Sequence, residues 1–181
     1  MTKTLYLFPT EFEAAPFRQL NPQASVRIIG VGIATSAALL SRIIAEEQPQ
    51  RVVLCGIAGA CDERLSVGQV VEVVEDSEVG LPAIYSTLYT PRRCTSLVEV
   101  VAFTVSRCTA SLGLNVVESA TRPCVEQMEG AAVGAVCKAW GVEYSHLRAI
   151  SNRVGDERAL WQPDEAARRL AEILLEMSFE E

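Results

Sequence analysis

Two carboxylates and one amide sit where a folded chain could use them for chemistry. Glu129 lies at the start of a run of small residues, Gly130-Ala-Ala-Val-Gly-Ala-Val136, among which a backbone or a ligand can approach closely. A carboxylate in such company needs a partner. Ser151 and Asn152 place two polar groups at the end of an apolar run, and in open α/β sheets ligands bind at strand ends. Arg148, inside that run, requires an acidic partner once buried; Glu129 and Glu126 are the candidates, and a structural ion pair is the favoured reading. His146 alternates with apolar neighbours and reads as a satisfied core histidine. Glu13 stands three residues after Thr10, a capping-box spacing that accounts for it without any chemistry.

Other motifs are weaker. Gly30-Val-Gly32 precedes a helix pattern, but Thr35 replaces the third glycine of a dinucleotide fingerprint and no acidic residue tips the next strand. It reads as a tight turn, or a turn beside a smaller ligand. Trp140 and Trp161 read as core or interface anchors.

The elements that must position these groups follow from periodicity. Thr4–Phe8 and Val26–Val31 form strands, Ile33–Glu47 a helix with Ile33, Ala37, Leu40, Ile43 and Ile44 on one face, and Arg51–Gly56 a buried strand. Gly56-Ile-Ala-Gly59 is expected as a glycine-bracketed turn and Gln69–Val74 as a strand; Glu75–Pro91 shows no clear element. Leu97–Val105 and the short Leu114–Val117 are expected strands. Val125–Trp140 is expected as a helix packed through Ala131, Ala132, Ala135, Val136 and Ala139, stopped by Gly141 and followed by the strand that ends at Asn152. Pro163–Met177 is an amphipathic helix with Ala166, Leu170, Ile173, Leu174 and Met177 inward. Strand, helix, strand implies parallel pairing. The predicted fold is α/β: a single-domain three-layer sandwich spanning 1–181, with a central mixed, largely parallel β-sheet flanked by helices.

Bulk properties narrow the partners. With 181 residues, 49% of them hydrophobic, the chain can bury a full core, and its net charge of −7 with no basic patch argues against nucleic acid. No apolar run approaches the roughly 20 residues that span a bilayer, so no membrane partner and a cytoplasmic location are expected. Six cysteines without paired spacing suit buried thiols in a reducing compartment, and a single histidine leaves little for a metal site. No cofactor and no metal are expected.

Val125–Asn152, with Met128-Glu129 ahead of small residues and Arg148-Ala-Ile-Ser-Asn152 closing the strand, resembles the nucleoside phosphorylase and nucleoside hydrolase family. The resemblance extends to Gly30-Val-Gly32, Cys55-Gly-Ile-Ala-Gly-Ala60, Leu65-Ser-Val-Gly-Gln69 and Glu13, most of the chain. Three stretches, Pro9–Phe17, Thr104–Thr109 and Arg148–Asn152 with Trp161 after it, are most similar to the branch that serves menaquinone synthesis. The resemblance implies a nucleoside phosphorylase-like fold and hydrolysis of a purine nucleoside at its N-ribosidic bond. Glu129 would accept hydrogen bonds from the ribose hydroxyls with Met128 on the sugar, Glu13 would orient or deprotonate the attacking water, and Asn152 would contact N7 and the 6-position of the base. Ile57, Ala58, Gly59 and Ser151 would complete the substrate site.

Asn152 stands where adenine-releasing relatives have an aspartate, and an amide suits a 6-oxo purine, so hypoxanthine is the expected leaving base. Neither glycine turn carries the arginine that phosphorylases use for phosphate, which makes water the expected nucleophile. Phosphorolysis and a non-catalytic nucleoside binder are the alternatives, and a homo-oligomer is expected. The chain is short for the family around Glu75–Arg93, and glycine is missing at Cys108–Ser111.

Overall fold

The computed structural model describes residues 4–108 and 121–177. The elements run β1 (Thr4–Phe8), α1 (Glu11–Leu20), β2 (Val26–Ile28), α2 (Ile33–Glu47), β3 (Arg51–Ala60), β4 (Val70–Glu78) and β5 (Val98–Thr104). Then come β6 (Cys124–Gln127), α3 (Gly130–Trp140), β7 (Glu143–Arg153), a 3₁₀ turn (Arg158–Leu160) and α4 (Pro163–Glu176). The expected Leu114–Val117 strand and most of the Cys108–Ser111 segment lie outside the described residues. No helix among the described residues is long and apolar enough to cross a membrane.

The chain forms an α/β domain with a mixed sheet, but that sheet is not the open layer of a simple sandwich. β3 pairs with β7 on one side and, at Gly59 and Ala60, with β6. From β6 the sheet continues through β5 and β4 back to β7, so five strands close a ring, and β1 and β2 extend it beyond β3. The β3–β6 and β4–β7 pairings are antiparallel and the others parallel. Closure depends on the length of β3 and β7, 10 and 11 residues, and on a register shift at Ala58/Gly59 that bends β3 toward β6. Periodicity reports which residues face a core; it does not report that a sheet meets itself.

The side chains of β3 show both regimes. Val53 and Cys55 pack with Phe17 of α1 and Leu170 of α4, while Val52 and Leu54 pack with Leu40 of α2 and Val133 of α3. Helices therefore cover both faces of this part of the sheet. Farther along, Ala58 and Ala60 join Val71, Val73, Val100, Ala102, Val125 and Ile150, a cluster drawn from all five strands of the ring.

Three local expectations need correction. Gly56-Ile-Ala-Gly59 is strand, not turn, because β3 pairs with β7 through all four residues and with β6 from Gly59 onward. Val125–Gln127 is the strand β6, and α3 begins only at Gly130 with Glu129 as its N-cap. The buried face of α3 comprises Gly130–Gly134, Val136 and Cys137, whereas Ala135 and Ala139 are exposed. A helix made of small residues carries almost no periodic contrast, and the ring of Tyr89 selects Gly134 instead: a Cβ there would lie 2.6 Å from the ring.

This corrected face is testable by urea unfolding. Gly134→Ala is expected to cost about 1–3 kcal/mol through overpacking, although alanine is the better helix former. Ala135→Glu is expected to stay within about 0.5 kcal/mol of the native chain; the opposite ranking would restore the face predicted from sequence.

Candidate functional site

The residues expected to carry catalysis and substrate binding meet at one opening. A cavity of about 630 Å³ is lined by Glu13, Ile57, Ala58, Gly59, Met128, Glu129, Ser151 and Asn152, with Arg148 at its floor and Phe12, Val31, Arg158 and Trp161 among its walls. Nothing in the chain order places these groups together. The β3–β7 pairing does, setting Gly56 opposite Arg148 and Gly59 opposite Asn152.

Glu13 is positioned from α1. Thr10, the N-cap, accepts the Glu13 N–H at 3.2 Å, so half of the expected capping box forms. The Glu13 carboxylate does not turn back to the cap's backbone N–H. Its Oε1 accepts the Ile57 N–H of β3 at 3.0 Å and its Oε2 accepts the Thr10 hydroxyl at 2.6 Å. That tie between helix and strand holds a carboxylate over the cavity.

Glu129 is positioned from α3 and two other elements. Its Oε1 accepts the Gly32 N–H at 3.1 Å, and its Oε2 accepts Arg148 Nη2 at 3.1 Å, the ion pair expected from sequence. The glycine pair at residues 30–32 thus serves a side chain: Gly32 adopts φ +85° and turns its N–H toward Glu129. Arg148 further donates to Ile57 O at 3.1 Å, to Gln127 Oε1 at 3.1 Å and to His146 Nε2 at 2.8 Å. Its guanidinium passes so close to β3 that a Cβ on Gly56 would lie 2.5 Å from Nη1 and 3.0 Å from Glu13 Oε1. Glycine is what lets a buried cation sit beside both carboxylates.

At the other end, Ser151 Oγ donates to Asn152 Oδ1 at 2.7 Å, and Asn152 Nδ2 donates to Arg153 O at 2.8 Å. With its oxygen and one amide hydrogen engaged, Asn152 keeps one N–H for a ligand.

Sequence reasoning missed Gln127, which lines the cavity, and Asp76 and Thr104 behind it, all three buried. Gln127 Oε1 accepts the N–H groups of Glu129 and Gly130, each at 2.7 Å, and Thr104 Oγ accepts that of Ala131 at 2.8 Å. Side chains of β5 and β6 therefore satisfy the start of α3, whose N-cap Glu129 makes no side-chain capping bond. All three lie in the last residues of their strands, where polar side chains are ordinary, so their types gave no distinct signal.

No family model matches the chain. Across its length it is similar to futalosine hydrolase of Thermus thermophilus, 29% identical over 216 aligned residues that cover 98% of this chain and 96% of that one. The alignment is longer than this chain's 181 residues, so the relative carries segments this chain lacks. Among solved structures, futalosine hydrolase of Helicobacter pylori superposes with a TM-score of 0.84 at 17% identity, covering 98% and 97% of the two chains. The 5′-methylthioadenosine/S-adenosylhomocysteine nucleosidase of the same organism, with butyl-thio-DADMe-Immucillin-A, gives 0.85 at 18% identity, covering 98% and 97%. The fold is nucleoside phosphorylase-like, and the resemblance read from the residues holds over nearly the full length.

Burial dominates the electrostatics. Desolvation raises Glu13 above the usual carboxylate range, against the Thr10 and Ile57 hydrogen bonds and the Arg148 charge, all of which lower it. Burial pushes Asp76 up to about 8, again opposed by Thr104 and Arg148, and drives His146 well below its ordinary value, so the imidazole is neutral. A carboxyl raised on folding contributes stability that is present at low pH and lost as pH rises through its folded value; a buried neutral histidine does the reverse below about pH 6.5. Above that point free imidazole is already neutral, and Asp76 sets the trend. The melting temperature is therefore expected to fall from pH 6.5 towards about 8, the value to which Asp76 is raised. Asp76→Asn should flatten this slope, and a slope retained in the variant would assign it elsewhere.

Proposed function

We propose that this chain is a purine nucleosidase that hydrolyses the N-ribosidic bond, acting in the manner of futalosine hydrolase and releasing hypoxanthine. The observation that carries the reading is the meeting of Glu13 and Glu129 on either side of Arg148 in one cavity that also holds Asn152. Its whole-length similarity to a futalosine hydrolase supports the choice of substrate.

Breaking the bond between C1′ and N9 sends the electron pair to the purine and leaves an oxocarbenium-like ribose. Glu129 accepts hydrogen bonds from the 2′- and 3′-hydroxyls through the lone pairs that Gly32 and Arg148 leave open, and a charged acceptor makes those bonds strong. Met128 packs on the sugar. A water attacks C1′, Glu13 takes its proton, and the hypoxanthine anion that leaves takes up a proton from solvent; a carboxyl raised by burial is a better base near neutral pH than an ordinary one. Asn152 donates its remaining N–H to N7 or the 6-oxo group of the leaving base, with Ser151 holding the amide in that sense. The backbone of Ile57, Ala58 and Gly59 forms the adjoining wall.

Water rather than phosphate is the nucleophile in this reading. Arg27, the nearest arginine in sequence to the Gly30 turn, is paired with Glu47 at 2.7 Å, and Arg148 is spent on four protein acceptors. The protein acts in the cytoplasm without metal or organic cofactor. The exposed Val79, Leu81, Ile84, Tyr85 and Leu88, gathered on one excursion, support a homo-oligomer, which sedimentation would register as a mass above 19.7 kDa.

Incubation with futalosine, inosine and 5′-methylthioadenosine, with and without phosphate, tests the reaction. Free hypoxanthine from futalosine without phosphate is expected; strict phosphate dependence would make the protein a phosphorylase, and tight binding without release from any of the three would make it a binder. Glu129→Gln is expected to lower the rate at least about a hundredfold, since losing one such transition-state contact costs about 3 kcal/mol.

A further inference from the structure

Behind the cavity, two buried ionisable side chains take no part in the reaction just described. Asp76 of β4 and His146 of β7 are both fully buried, and His146 Nδ1 faces Asp76 Oδ2 at 3.5 Å. Every other polar atom around them has a settled direction. Asp76 Oδ2 accepts Gln127 Nε2 at 2.9 Å, Asp76 Oδ1 pairs with the Thr104 hydroxyl at 2.8 Å, and His146 Nε2 accepts Arg148 Nε at 2.8 Å. Arginine cannot accept, so Nε2 must present its lone pair to Arg148 and the imidazole proton must sit on Nδ1. Within hydrogen-bond limits Nδ1 has no partner, and Asp76 Oδ2 is the group it points towards.

We propose that Asp76 and His146 are positioning residues for the hydrolytic site: Asp76 holds the His146 proton on Nδ1, and the freed Nε2 lone pair anchors the Nε end of Arg148 between Glu13 and Glu129. The proposal rests on the assignment of those two carboxylates to the reaction.

The chemistry is that of a carboxylate, or carboxylic acid, fixing a histidine tautomer so that the far nitrogen can do its work. Here the far nitrogen receives a guanidinium instead of a metal. Thr104 Oγ accepts from Gln127 Nε2 and the Ala131 N–H, so its own hydrogen goes to Asp76 Oδ1, and Oδ2, which accepts the Gln127 amide, is the carboxyl oxygen that faces Nδ1. The burial that keeps His146 neutral protects the arrangement, since an imidazolium would turn Nε2 into a donor facing another donor. Space at the junction is reserved by a glycine. A Cβ on Gly130 would lie 1.8 Å from Asp76 Oδ2 and 2.8 Å from His146 Cε1. The consequence reaches the cavity through Arg148, whose Nη2 holds Glu129 and whose charge lowers the Glu13 carboxyl. A guanidinium freed at Nε could swing about its remaining bonds and take Glu129 with it.

His146 is the chain's single histidine, so nitrogen-15 labelling of histidine reports on it alone. The native protein is expected to show a neutral imidazole protonated on Nδ1 throughout pH 6–9; a proton on Nε2, or an imidazolium at pH 6, would overturn the proposal without any appeal to activity. In Asp76→Ala the Nδ1–H loses the group it faces, so its nitrogen-15 and proton shifts are expected to move and the Nε2–H tautomer to gain population in competition with the Arg148 donor; an unchanged spectrum would remove Asp76 from the role. Kinetics give the second readout. His146→Leu is expected to lose at least tenfold in kcat with a smaller change in KM, while His146→Gln, whose amide oxygen can accept from Arg148, recovers at least threefold over the leucine variant. Equal losses in the two would reduce His146 to a packing role. Base release by the native chain tests the reaction and the tautomer is read without turnover, so the two readings fail separately.

Discussion

The buried guanidinium of Arg148 is the constraint around which this molecule is arranged. Removing such a charge from water costs several kcal/mol, and leaving it short of acceptors would cost more. The chain answers with four acceptors of different kinds: a carboxylate, an amide oxygen, a backbone carbonyl and an imidazole nitrogen. Each comes from a different place in the sequence, Glu129, Gln127, Ile57 and His146. One side chain of β7 thereby fixes the relative positions of β3, β6 and the start of α3.

The closed ring makes this convergence possible. In an open sheet β6 would not reach β3, and Gln127 and Glu129 could not face the same cation as Ile57. Because β3 pairs with β7 over its whole length and with β6 at its end, the ends of three strands crowd round one spot. Crowding is tolerable only where side chains are missing, which is why Gly56, Gly59 and Gly130 each abut a polar group of the site within 3.2 Å of the Cβ they lack. Those glycines mark close approach between elements; the sequence offered Gly56 and Gly59 first as turn residues, because composition alone does not distinguish the two uses.

Much of the site was legible from residue type and position. A carboxylate at the head of a small-residue helix, two polar residues ending an apolar strand and an arginine inside it demanded explanation, and all line or underlie the same cavity. The α2 and α4 boundaries were legible because their apolar periodicity is strong, with Leu40, Ile43 and Ile44 buried in one and Ala166, Leu170 and Leu174 in the other. The face of α3 was not, since alanine and glycine give no contrast. Asp76, Thr104 and Gln127 stayed hidden for a different reason: polar residues at the end of a strand look like its solvent side, and only ring closure shows that these three point at one another. Glu13 illustrates both outcomes at once. Its capping-box spacing correctly placed the Thr10 cap, yet its carboxylate is bound by β3, a contact across 44 residues that no local pattern contains.

The shortness of the chain also takes on a physical sense. The resemblance read from the sequence expects the missing length at Glu75–Arg93, next to residues that matter for the buried network. In the fold that segment leaves β4 after Glu78, exposes Ile84 and Tyr85, and returns so that Tyr89 and Asp76 exchange backbone hydrogen bonds of 2.9 and 2.8 Å. The returning Tyr89 then lies against Gly134 of α3. What the excursion must deliver is therefore local: a closed pairing that holds the Asp76 backbone, and a ring that wedges the helix bearing Glu129. Both requirements are met by residues at its two ends, so its middle can be trimmed without disturbing Arg148 or its acceptors. Length lost there would bear on the outer surface of the molecule, while the charge arrangement at the floor of the cavity is set by the strands.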